Sequence, residues 1–187
     1  MIRFISLYIF IIVASVFKAD AQDVKSIAAE FISGSEAVFS CSVVVDESKK
    51  FSFEASGIAK IFGSCYNITT DEGIVLISDG KSLWMINKDT DEAVVSSIDD
   101  SRAYPFDFTN PFLLLSNPQE NLKFVFKGTA PGGNQKIPAE IRITGFKDDR
   151  PKSVLINIKR YSKRELNNSC FVFNKSDYPG IQVTDLR

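Results

Sequence analysis

The spacing of apolar residues changes period near residue 34. Val24, Ile27, Ala28 and Phe31 recur at the three-and-four spacing of a helix with one apolar face. Asp23 stands where such a helix wants an N-cap, and Gly34 where it can stop. Beyond that point the period is two. The stretch 37–45 is rich in β-branched residues, and Phe51, Phe53 and Ala55 alternate with Ser52, Glu54 and Ser56. Further strands are predicted at 64–70 and 73–78. Asp79-Gly80 separates the β-runs 74–78 and 82–87, which predicts a hairpin because a tight turn needs positive φ. A second turn at 88–91 leads into a returning strand at 92–98.

Prolines at 105, 111 and 118 break the alternation between residues 102 and 117. Within that stretch 110–116 predicts a short apolar helix, with Thr109 or Asn110 as cap and Pro111 in the first turn. Alternation resumes at Leu122, Phe124 and Phe126, and again at Ile137, Ala139, Ile141 and Ile143 after a Pro-Gly-Gly loop at 129–134. A charged turn at 146–152 precedes Val154, Ile156 and Ile158, and Cys170 opens a last extended segment. Short strands joined by turns, with few helices between them, imply an antiparallel sheet. About ten strands in succession should curl rather than lie flat. The expected fold is therefore mainly β with some α: a curled antiparallel sheet, or half-open β-barrel, covered by short helices and enclosing an apolar cavity.

The first 21 residues follow a different rule. Arg3 precedes an uncharged run from Phe4 to Phe17, and Ala19-Asp20-Ala21 has the small-x-small form of a cleavage site. This pattern reads as a secretory signal removed after Ala21. The apolar run is short for a membrane span, which wants about 20 residues. Gln22 follows the cut where a lipid-anchored protein would have cysteine, so the expected product is one soluble exported domain, 22–187.

Composition narrows the chemistry. A formal net charge of −1 offers no electrostatic case for nucleic acid. The chain has no histidine, which excludes Ser-His-Asp and Cys-His catalysis within one chain and every His-ligated metal site. No carboxylate pair suggests itself, because the acidic residues gather in turns where Asp has structural reasons to be. No enzyme activity, cofactor or metal is expected. The three cysteines, at 41, 65 and 170, are equally readable as small buried hydrophobes or as one bridge plus a spare thiol. If a bridge forms, Cys41–Cys65 is the first pair to expect.

Three blocks carry a resemblance. They are Gly57-Ile58-Ala59-Lys60-Ile61 with Tyr66-Asn67-Ile68; Ile77-Ser78-Asp79-Gly80-Lys81-Ser82-Leu83-Trp84; and Phe171-Val172-Phe173 with Pro179 and the ending Val183-Thr184-Asp185-Leu186-Arg187. With the Pro111–Leu115 helix between them, they occur in the order seen in the outer-membrane lipoprotein carrier family (LolA-like), which this chain resembles over most of its length. The resemblance implies a periplasmic carrier that takes acylated lipoproteins from an inner-membrane transporter and delivers them toward the outer membrane, in some cases to a receptor there. It implies a monomer that performs no chemistry. The chain departs from the family at Phe62-Gly63-Ser64-Cys65-Tyr66, where a Pro-Gly and an Arg are common, and at Ile86, where an aromatic is common. The family's Arg role is not carried to Tyr66.

With 16 phenylalanines on alternating faces, inward side chains can fill a barrel or line a ligand cavity. Alternation alone does not choose between these. The carrier reading nominates Phe39, Phe51, Phe53, Tyr66, Leu76, Trp84, Phe112, Leu113, Leu114, Phe124 and Ile141 as cavity or lid residues. The alternative reading is a lipid- or protein-binding sensor on the same fold.

Overall fold

The 3.6-residue period is realised as α1, Ala21–Ile32, in the computed structural model. It describes residues 17–18, 21–46, 51–98, 112–116, 121–133, 136–146 and 151–187; positions 17, 18, 21, 22, 46, 51–53, 113 and 116 are described by their backbone alone. The apolar run of the leader up to residue 16 and the helix start at 109–111 lie outside these residues. Val24, Ile27, Ala28 and Phe31 are all buried, as one apolar stripe requires. The helix begins two residues before Asp23, so Asp23 sits in its first turn and not at the cap. Its carboxylate there still complements the positive end of the helix dipole. Gly34 ends the element at φ +103°, where a Cβ would lie 2.5 Å from the Arg164 carbonyl oxygen.

The strands follow the alternation closely. They are β1 (Phe17–Lys18), β2 (Ser35–Asp46), β3 (Phe51–Phe62), β4 (Cys65–Thr70), β5 (Ile74–Ser78), β6 (Ser82–Asn87) and β7 (Glu92–Ser97), then a four-residue helix α2 (Leu113–Ser116). After it come β8 (Lys123–Lys127), β9 (Glu140–Thr144), β10 (Ser153–Lys163) and β11 (Gln182–Asp185). Together they make one curled sheet in the order β1-β8-β9-β10-β2-β3-β4-β5-β6-β7-β11. Two runs of hairpins, β2 to β7 and β8 to β10, are joined where β10 pairs with β2. The Asp79-Gly80 turn forms as expected. Gly80 has φ +87°, and Asp79 Oδ1 accepts from the backbone N–H of Lys81 at 2.9 Å and Ser82 at 2.8 Å.

Three expectations need correction. β9 begins at Glu140 although alternation starts at Ile137; Ile137 is buried, but its carbonyl is spent on the Ala130 N–H at 2.8 Å, closing the loop instead of extending the ladder. Cys170 does not open an extended segment, which begins only at Val172. A 3-10 turn spans Asn168–Phe171, because the Asn167 side chain accepts from the Ser169 N–H and holds the chain in a local turn. The last strand is instead β11, which lies parallel to β7 with Gln182 opposite Glu92, the one parallel pair among the described residues.

Period-two geometry divides the sheet into two faces. The face under the helices, here the inner face, carries Phe39, Cys41 and Val43 of β2, Ala59 and Ile61 of β3, Tyr66 and Ile68 of β4, Leu76 of β5, and the alternate positions of β8 to β10. The outer face carries Val75, Ile77, Trp84, Ile86 and Ala93, packed by the segment that follows β10. This division also decides the cysteines. All three are free thiols, and Cys41 is opposite Ala55 on the inner face while Cys65 is opposite Phe62 on the outer face. A Cys41–Cys65 bridge would have to pass through the sheet and is excluded.

Candidate functional site

The inner face is an apolar layer closed from above by two helical segments of different character. α1 is anchored: Tyr161 donates its hydroxyl to the Glu30 carbonyl at 3.1 Å and stands edge-on to the Phe31 ring, centroids 5.6 Å apart at 89°. Burial, followed by the Glu30 carboxylate, pushes the Tyr161 phenol up to about 12. α2 is a single turn, with one Leu115 N–H to Phe112 carbonyl bond at 3.1 Å at its start. One turn has almost no stability of its own, since helix nucleation is unfavourable. It is held by side chains: Phe112, Leu114 and Leu115 are buried in the same cluster as Phe31, Phe39 and Leu76.

Phe112 occupies the centre. Its ring centroid lies 5.0 Å from that of Phe31, tilted at 46°, and 5.3 Å from that of Phe39, at 79°. Both separations fall in the range favoured by aromatic pairs. The ring thus fills the gap between the fixed helix and the floor of the sheet. Burying a side chain of this size contributes roughly 1.5–3 kcal/mol, which is the scale on which Phe112 holds this segment to the sheet.

Seven of the nominated residues meet in this one cluster: Phe39, Tyr66, Leu76, Phe112, Leu114, Phe124 and Ile141. Phe53 is opposite Val43 in register, whereas a bulge between Val44 and Asp46 moves Phe51 opposite Asp46; Phe51, Phe53 and Leu113 are described by backbone alone. Trp84 is not in the cluster. It lies on the outer face, stacked on Phe173 at 4.1 Å and 12°. The reason is parity. In the β5–β6 hairpin Ile77 is opposite Trp84 and Leu76 is opposite Met85, so Leu76 and Trp84 cannot share a face. The apolar residues on the inner side of β6 are Leu83, which packs against the cluster, and Met85, which is 45% exposed. Sequence reasoning missed both, and also missed Phe31, although the hairpin parity and the helix stripe contain the information.

Elsewhere an open surface groove of about 570 Å³ is lined by Ser33, Phe62, Lys163, Arg164, Glu165 and Leu166. Its cations are engaged within the chain. Lys163 Nζ donates to Ser33 Oγ, and Arg164 pairs with Glu36 at 3.0 Å. None of these six residues belongs to the inner apolar cluster.

No family model and no curated protein matches the chain. Among solved structures, an uncharacterized conserved protein from Thermus thermophilus is similar over 88% of this chain and 97% of its own, at 11% identity and a TM-score of 0.49. A LolA superfamily protein from Nitrosomonas europaea is similar over 83% of this chain and 98% of its own, at 8% identity and a TM-score of 0.46.

Proposed function

We propose that this chain is an exported, periplasmic carrier that shelters the acyl chains of lipoproteins against the inner face of its sheet. The observation that carries the reading is the Phe112 ring, set between Phe31 and Phe39 at the start of a one-turn helix that the buried side chains of Phe112, Leu114 and Leu115 hold against the sheet. Such an element can leave without disturbing a strand ladder, and its departure opens an apolar floor. The secretory pattern of residues 1–21 and the ordered resemblance to lipoprotein carriers support the same reading. The partners are then acylated lipoproteins, an inner-membrane transporter that releases them, and an acceptor at the outer membrane. No chemistry is required of the carrier. Burial of an acyl chain yields about 0.8 kcal/mol per methylene, so a long chain supplies on the order of 13 kcal/mol toward opening the lid.

The test is mass spectrometry of the gently purified full chain beside its Leu114→Glu variant, with circular dichroism on both. The wild type should retain acylated peptides or lipids, and the variant should lose them while keeping its β spectrum. Recovery of the wild type free of acyl chains, with no uptake when they are added, would remove the proposal.

A further inference from the structure

The fold treats the three cysteines unequally. Cys41 is 2% exposed on the inner face, walled in by the apolar cluster. Cys65 and Cys170 are each half-buried; Cys65 belongs to the outer face, and Cys170 lies in the turn whose carbonyl meets Asn67 on that face. Cys65 closes the β3–β4 hairpin opposite Phe62. The chain leaving β10 runs past that hairpin end, since Leu166 lines the surface groove together with Phe62. Two residues later begins the 3-10 turn Asn168–Phe171, which lies over β4, where Asn67 Nδ2 donates to the Cys170 carbonyl at 3.2 Å. Asn67 is two positions along β4 from Cys65, on the same face and about 7 Å away by strand geometry. The crossing segment therefore passes Cys65 from the groove it shares with Phe62 to its hydrogen bond with Asn67. Cys65 Sγ stands 3.9 Å from where a Cβ on Gly80 would be, so it leans across the outer face toward β5 and β6. The segment runs the same way to stack Phe173 on Trp84. Cys170 lies in a four-residue turn outside the ladder, so it can rotate without breaking a strand pair.

We propose that Cys65 and Cys170 are a redox pair that closes to a disulfide under oxidising conditions, stapling the C-terminal segment to β4 while Cys41 stays a thiol. The oxidant is a small or protein disulfide. One protein thiolate attacks it and releases one thiolate product. The second protein thiolate then displaces the other half from the mixed disulfide. Two protein thiols are oxidised and one external disulfide is reduced to two thiols, the two protons passing from the protein thiols to the released thiolates. This inference is independent of the carrier reading.

The full chain, incubated with oxidised glutathione, is unfolded without reductant in the presence of a maleimide and then digested. The expected result is loss of two of the three thiols, one alkylated cysteine (Cys41), and a linked peptide pair containing Cys65 and Cys170. Cys170→Ser and Cys65→Ser should each abolish the linked pair. Three alkylated thiols in the wild type, persistent glutathione adducts on Cys65 or Cys170, or a link that includes Cys41 would overturn the proposal.

Discussion

Cys41 shows what burial does to a single group. Desolvation pushes its thiol from an ordinary value of 9.0 up to about 12. The folded state thus favours the neutral thiol, and the unfolded chain ionises first. The stabilisation is complete below pH about 9 and is lost as pH rises toward 12. Tyr161 behaves alike from pH 10 to about 12, through burial and then the Glu30 carboxylate. Denaturant midpoints measured from pH 8 upward should fall across these windows. Cys41→Ala should flatten the decline that starts near 9.0, and Tyr161→Phe the part above 10.0. Parallel declines in all three proteins would contradict the assignment. A second residue-level constraint is Gly57, where a Cβ would lie 2.1 Å from the Thr69 carbonyl oxygen. β3 and β4 must part to admit it, so Gly57→Ala should cost about 1–3 kcal/mol as overpacking does. A denaturant midpoint unchanged from wild type would show that the strands can yield freely there.

At the scale of elements, the two faces of β5–β6 should separate two functions. Trp84→Ala removes the stacking partner of Phe173 and the ring under Arg187, whose guanidinium lies 6.0 Å from the Trp84 centroid. Hydrogen exchange should quicken across 171–187 while uptake of a fluorescent fatty acid is unchanged. Loss of uptake would mean that the outer face takes part in binding. Strands β2 to β10 and both described α-helices were legible because alternation and the helical stripe are local properties, whereas β1 lies in the stretch read as an export leader. The Asp-Gly turn was legible because its backbone demands glycine. The parity of Leu76 and Trp84 was also local, but it requires the turn to be converted into register, and treating every large apolar residue as inward loses it. The 3-10 turn at Cys170 was hidden because Phe171-Val172-Phe173 has strand composition and only the Asn167 side chain overrides it. β11 was hidden for a different reason. All four of its residues are exposed, so no buried face imposes a pattern, and its parallel partner is distant in sequence.

For the whole molecule, the main consequence of this architecture is a competition for one space. Phe112, Leu114 and Leu115 fill the volume above Phe39 and Leu76, so under the proposed carrier function an acyl chain must displace them before it gains anything. The opening cost is the same for every acyl chain, whereas the gain grows with length. Binding should therefore be undetectable for short chains and then strengthen by about fourfold per added methylene, which is ~0.8 kcal/mol each. It should level off once the chain reaches the exposed inner edge at Met85. Removing the latch separates the two contributions. Phe112→Ala lowers the cost of opening, so it should raise the affinity of every length by a similar factor while destabilising the free protein by about 3–5 kcal/mol. Titration of a homologous fatty-acid series into both proteins checks this. Parallel, vertically shifted plots of log affinity against chain length are expected. A flat wild-type series would mean that the inner face does not take acyl chains. A variant whose slope changes without a shift would mean that Phe112 lines the site and does not close it.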